Sequence, residues 1–123
     1  MSRVLIVDDE PDLLLMLRVS LEAAGFETGL AADGDEALRR VRAEHFDVML
    51  LDMMMPVLDG WAVLGALNND PTAPPIIVVT ARTAQADKDR AFDLGAADFV
   101  SKPFMLEDLI SRIGLVVGAA EES

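Results

Sequence analysis

The chain has no cysteine, so it can build no disulfide framework, thiolate nucleophile or Cys-ligated metal site. It has no Gly-rich phosphate loop of the Walker type and no G-x-G-x-x-G, which counts against nucleotide binding. Basic residues are scarce: 10 Lys and Arg stand against 22 Asp and Glu, for a net charge of −12. A nucleic-acid backbone is bound by Lys and Arg that release its counterions, so no direct nucleic-acid partner is expected. No apolar stretch is long enough to cross a bilayer. The N-terminus shows no apolar segment behind a basic one. A soluble, cytoplasmic protein without membrane insertion is therefore the expectation. No linker rich in Gly, Pro or Ser, no repeat and no low-complexity run divides the chain, and residues 1–123 are read as one domain.

What is present is 52% hydrophobic sequence, enough for a full core, arranged as two alternating kinds of segment. Apolar runs at Val4 to Val7, Val48 to Leu51 and Ile76 to Val79 have almost no polar interruption, as central strands covered on both faces require. Weaker strands are read at Phe26 to Leu30 and Phe99 to Val100. Between them lie helical patterns over Asp12 to Ala24, Asp35 to Glu44, a short stretch after Gly60, Ala84 to Leu94 and Leu106 to Val117. Gly25 and Gly95 are read as helix stops. The tail Ala119 to Ser123 is read as frayed. Strand and helix alternate five times. That predicts an α/β fold: a doubly wound five-stranded parallel sheet flanked by five helices. Such sheets place function in the crevice beyond the carboxyl ends of their strands.

Those ends carry the chemistry. The first strand runs into Asp8 and Asp9, the third into Asp52 and the fourth into Thr80. The fifth ends just before Lys102. One crevice would then hold three carboxylates, a hydroxyl and an ammonium. Close carboxylates repel unless a cation compensates them, and hard oxygen ligands suit Mg²⁺. An Asp carboxylate can also attack phosphorus to give an acyl phosphate. Phosphoryl transfer needs positioning and charge neutralisation more than covalent help. Taken singly, each residue is more often a cap or a turn; four successive strand ends bearing them together point to phosphoryl chemistry at Asp52.

The stretches VLIVDDEP (Val4 to Pro11), VMLLDMMMPVLDG (Val48 to Gly60), IIVVTA (Ile76 to Ala81) and LGAADFVSKPF (Leu94 to Phe104) closely resemble the receiver domains of two-component response regulators, of the stand-alone chemotaxis type. The resemblance covers nearly the whole chain and implies the flavodoxin-like strand order 2-1-3-4-5. It implies a phosphorylated Asp52, and Mg²⁺ held by Asp9, Asp52, Asp8 (directly or through water) and the Met54 backbone carbonyl. It gives Thr80 and Lys102 the phosphoryl oxygens, and Phe99 the place of the switching aromatic. It also implies a cis Lys102–Pro103 bond. The implied partners are a sensor histidine kinase or histidine phosphotransfer protein and a downstream effector protein. The chain would be a self-phosphorylating and self-dephosphorylating switch rather than a turnover enzyme, and a monomer or phosphorylation-dependent dimer.

Other readings stay in view. One is the receiver part of a DNA-binding transcriptional regulator; 123 residues leave no room for its second domain, and Gly114 and Gly118 stand where winged-helix relatives often carry charges. An aspartyl-nucleophile phosphatase would need a second Asp where Met54 stands. A flavodoxin-like carrier would need a phosphate loop. His45, the only histidine, is read as a solvated turn residue. On the first helix, Leu13, Leu17, Ser20 and Ala24 are read as the inward face, with Met16 and Leu21 at its edges. Leu15 and Val19, flanked by Leu14, then point outward and are read either as a patch for a phosphodonor or as residues lying under a loop or in a homodimer.

Overall fold

The computed structural model describes residues 1–121. Five parallel strands, β1 (Arg3–Val7), β2 (Glu27–Ala31), β3 (Val48–Leu51), β4 (Ile76–Thr80) and β5 (Asp98–Ser101), form one sheet in the order β2-β1-β3-β4-β5. Five helices alternate with them: α1 (Pro11–Ala23), α2 (Gly34–Ala43), α3 (Gly60–Leu67), α4 (Gln85–Asp93) and α5 (Leu106–Glu121). The expected doubly wound order is the observed one.

β1, β3 and β4 are sheathed on both faces. One core packs Leu5, Val7, Met49, Leu51 and Val78 with Ala37, Val41, Val63, Leu64 and Leu67. The other packs Val4, Ile6, Leu50, Ile77 and Val79 with Leu14, Leu17, Leu21, Leu109, Ile113 and Val117. This two-sided burial is why the central strands read as unbroken apolar runs.

Helix ends follow local chemistry. Asp33 and Asp59 cap α2 and α3, their carboxylates accepting from the Glu36 and Ala62 amides at 2.8 and 2.9 Å. Gly25 and Gly95, both at φ +97°, stop α1 and α4 in the left-handed region.

Three expectations are corrected. In α1 the buried residues are Leu14, Leu17 and Leu21, whereas Leu13 and Ser20 are only partly covered and Ala24 is exposed. Leu14, expected to flank the outward patch, is 8% exposed and belongs to the core. At the other end, Ala119–Glu121 continue α5 rather than fraying, since no residue there breaks the helix. The rest of that tail, Glu122 and Ser123, lies outside the described residues.

His45 is an exposed turn residue as expected, its ring 3.1 Å from Asp47 Oδ1. Beside it, Phe46 is buried beneath two guanidiniums, Arg3 at 4.8 Å and Arg40 at 5.6 Å from the ring centre. Both arginines also bond Glu44. Hydrogen bonds first from Arg40 and then from Arg3 hold its carboxyl down at about 2.

The β3–α3 loop contains one strained residue. Val57 has φ +67° and centres a tight turn in which the Leu58 amide donates to the Pro56 carbonyl at 2.8 Å. A β-branched residue is poorly suited to that region, and Val57 is 87% exposed, so packing gives nothing in return. Val57→Gly is expected to stabilise the domain by about 1 kcal/mol, read as a higher urea midpoint at unchanged slope. An unchanged or lower midpoint would show that the turn costs nothing.

Candidate phosphoryl and metal site

Strand register brings the site together. β1 and β3 are neighbours, with Val7 opposite Leu51, so Asp8 and Asp52 emerge side by side. The backbone carries the alignment one step further, the Asp52 amide donating to the Val7 carbonyl at 3.0 Å. β4 and β5 pair Thr80 with Ser101, and the Lys102 amide donates to the Thr80 carbonyl at 2.9 Å. Lys102 therefore leaves the sheet beside Thr80. The Lys102–Pro103 bond is cis, as the resemblance implied.

One carboxylate oxygen from each of Asp8, Asp9 and Asp52 can lie within 4.8 Å of the other two. Asp8 and Asp52 are buried and Asp9 is exposed. Lys102 Nζ reaches into this group, 2.7 Å from Asp8 Oδ2, 3.4 Å from Asp52 Oδ2 and 3.9 Å from Glu10 Oε1. Burial alone would lower the lysine's pKa. The hydrogen bond to Asp8 and the charges of Asp52 and Asp8 outweigh it, and the net effect is a rise above the ordinary lysine value.

Backbone amides hold the acids in place. The Glu10 amide donates to Asp8 Oδ1 at 2.9 Å and the Met54 amide to Asp52 Oδ1 at 3.2 Å. The Arg82 amide donates to Thr80 Oγ1 at 3.3 Å, which leaves the buried hydroxyl its own proton to give. The Met54 side chain is exposed.

Three carboxylates against one ammonium leave a surplus of two negative charges, two of the acids being withdrawn from water. That donor set, hard and oxygen-only, fits Mg²⁺. Asp8, Asp9, Asp52 and Lys102 are thus brought together, and Thr80 lies beside Lys102 through the β4–β5 register. Phe99 stands apart from them on β5, partly buried against the α2–α3 side of the core. Lys88 Nζ lies 5.9 Å from its ring centre, a contact the sequence patterns did not foreshadow. Leu15 and Val19 lie on the surface of α1, 59% and 60% exposed, with Met16 beside them at 41%. Gly60, which presses against the backbone of Asp52 and Met53, was also missed as a part of the site.

The chain is similar to known proteins in sequence and in fold. The family profile described as the response regulator receiver domain matches residues 4–114. The transcriptional regulatory protein KdpE of Mycobacterium tuberculosis is 41% identical over 117 residues, covering 95% of this chain and 51% of that protein. The chain thus spans about half the length of the curated relatives it matches. Among solved structures, the receiver domain of the Francisella response regulator 1452 superposes with a TM-score of 0.93 at 30% identity, covering 98% of this chain and 99% of that one. The response regulator TrrA of Thermotoga maritima, solved in complex with Mg(2+)-BeF, gives 0.84 at 30% identity, covering 94% and 99%. Among the described residues no helix is long and apolar enough to cross a membrane. With a family profile spanning nearly the whole chain and a fold and acidic crevice to match, this protein belongs to the response regulator receiver domain family.

Proposed function

We propose that the domain accepts a phosphoryl group on Asp52 from a phosphohistidine partner or a small acyl phosphate. The observation that carries this reading is the convergence of Asp8, Asp9 and Asp52 on one point, with Lys102 Nζ between Asp8 and Asp52. An Asp52 oxygen forms the new P–O bond as the donor's P–N or acyl P–O bond breaks and its electrons leave with the donor. Asp8, Asp9, Asp52 and the Met54 carbonyl would hold Mg²⁺, which supplies positive charge against the phosphoryl oxygens. Lys102 trades one carboxylate partner for a phosphoryl oxygen, and the Thr80 hydroxyl donates to another.

The test is labelling with acetyl phosphate followed by peptide mass spectrometry. An adduct of one phosphoryl group is expected on the peptide containing Asp52, dependent on Mg²⁺, tolerant of acid and cleaved by hydroxylamine. Labelling elsewhere, or labelling undiminished by chelator, sinks the assignment. The switch reading rests on the same site: Thr80 drawn toward the phosphoryl group vacates space that the Phe99 ring can enter. Fluoroberyllate should therefore shift the Phe99 ring resonances, and unchanged resonances refute the switch.

The donor is read as a sensor histidine kinase or a histidine phosphotransfer protein, docking on α1 beside the site. Leu15 and Val19, with Met16, form the exposed apolar patch that such a helix would cover. Leu15→Gln with Val19→Gln should slow transfer from the cognate kinase roughly 30-fold, the effect of about 2 kcal/mol lost at an interface. Acetyl-phosphate labelling should stay near wild type. Equal slowing in both assays would place the defect in the pocket instead.

The length of the relatives favours a second reading. KdpE is named a transcriptional regulatory protein and is about twice the matched length. On that reading this domain is the receiver half of a DNA-binding regulator, and its effector is a domain in cis. Sequencing the gene beyond the codon for Ser123 separates the two readings.

A further inference from the structure

The helices are not equally anchored. α1 buries Leu14, Leu17 and Leu21, and α5 buries Leu109, Ile113 and Val117. α2 buries Gly34, Ala37 and Val41, and α3 buries Gly60, Val63, Leu64 and Leu67. α4 buries Ala91 alone, and Ala84 at its N-cap offers no side-chain hydrogen bond. A single methyl is a weak anchor.

What flanks α4 is a pair of cation–ring contacts. The Arg90 guanidinium lies 4.2 Å from the ring centre of Trp61 on α3, and Lys88 Nζ lies 5.9 Å from that of Phe99 on β5. Residues two apart on a helix point to different sides of it, so α4 reaches a ring on each flank. Both rings pack against the same core as Ala91. The rings are partly buried against that core, whereas α4 is held largely by charged contacts, among them the Arg82–Asp87 pair at 3.2 Å.

We propose that α4 is clasped between these rings by Arg90 on Trp61 and Lys88 on Phe99, and that the Lys88 contact couples the position of Phe99 to the order of α4. A cation over a ring face is attracted by the ring quadrupole, and the attraction vanishes when the ring turns away. Phe99 has no hydroxyl, so Lys88 is the polar group that favours one orientation of its ring. A ring that moves would release one flank of the least anchored helix. The contacts are made by residues outside the acidic crevice, and this inference stands or falls separately from the reading of Asp52.

The test is amide hydrogen exchange on the whole chain, comparing α4 with α1 and β3. Lys88→Met and Arg90→Met keep an unbranched apolar stem and remove the charge. Each is expected to speed exchange in α4 about two- to fivefold while leaving α1 and β3 unchanged. Arg90→Met should also shift the emission of Trp61, the only tryptophan. Phe99→Leu should speed α4 exchange as Lys88→Met does, and the two together should do no more than either alone, because they remove the same contact. The clasp is overturned if α4 exchange is unchanged in both charge variants, or if exchange rises uniformly through the domain. Additive effects of Lys88→Met and Phe99→Leu overturn the coupling.

Discussion

Lys102→Met is expected to cost the Mg²⁺-free domain roughly 3 kcal/mol and to recover most of that loss when Mg²⁺ is supplied. Lys102 Nζ is 2.7 Å from Asp8 Oδ2 and 3.4 Å from Asp52 Oδ2, and those side chains are only 5% and 6% exposed. Removing the ammonium leaves two buried carboxylates and Asp9 close together with no positive partner among them. Breaking one side of a buried pair costs about 3–5 kcal/mol, and the open mouth at Asp9 puts this case at the lower end. Lysine and Mg²⁺ compete for the same oxygens, so the variant should bind the ion more tightly than wild type does. At 100 times its dissociation constant a ligand stabilises the folded state by about 2.7 kcal/mol. The measurement is thermal unfolding with and without Mg²⁺: the midpoint should fall by roughly 10 °C in chelator, and Mg²⁺ should raise it more than in wild type. If Mg²⁺ raises both proteins equally, Lys102 and the ion do not share a site.

The same pair explains why the site was legible without coordinates. A parallel sheet fixes where its strands end, and β1 and β3 are adjacent, so Asp8 and Asp52 meet whatever the loops do. Thr80 and Lys102 follow from the β4–β5 register in the same way. Periodicity was weaker on α1. Leu13, Leu14 and Leu15 are consecutive and cover more than half a turn, which gives the wheel two rival apolar arcs. The structure buries the arc with three leucines, Leu14, Leu17 and Leu21, over the one that includes Ser20 and Ala24. Leucine burial outweighs that of serine or alanine several-fold, a criterion that regular spacing alone does not apply. The Val57 turn and the contacts of Lys88 and Arg90 depend on backbone torsions and on tertiary neighbours. No local pattern encodes them.

The role of Gly60 was equally hidden, since the sequence shows it only as the end of the Val48 to Gly60 motif ahead of a short helix, and its replacement is expected to damage both the fold and the chemistry. Gly60 is the first residue of α3, and its amide donates to the Met53 carbonyl at 3.2 Å. A Cβ there would collide with the backbone oxygen of Asp52, and would come within 2.5 Å of Met53 Cα and Met53 Sδ. Only the Met53 sulfur belongs to a flexible side chain, so backbone must move. Forcing extra carbon into a packed site costs about 1–3 kcal/mol or more, against the roughly 1 kcal/mol that alanine gains over glycine within a helix. Gly60→Ala should therefore lower stability by up to about 2 kcal/mol. The displaced segment carries Asp52, and a misplacement of about 1 Å can slow a positioned reaction on the order of 100-fold. Acetyl-phosphate labelling should fall at least tenfold by this route, even at temperatures where the variant is fully folded. Gly65 supplies the control. It lies on the same helix and is exposed, with nothing within 4 Å of an added Cβ. Gly65→Ala should stabilise by up to about 1 kcal/mol and leave labelling unchanged. Urea midpoints and labelling rates measured on both variants decide the matter: if Gly60→Ala tracks Gly65→Ala, the close approach of α3 to the Asp52 backbone has no bearing on the site.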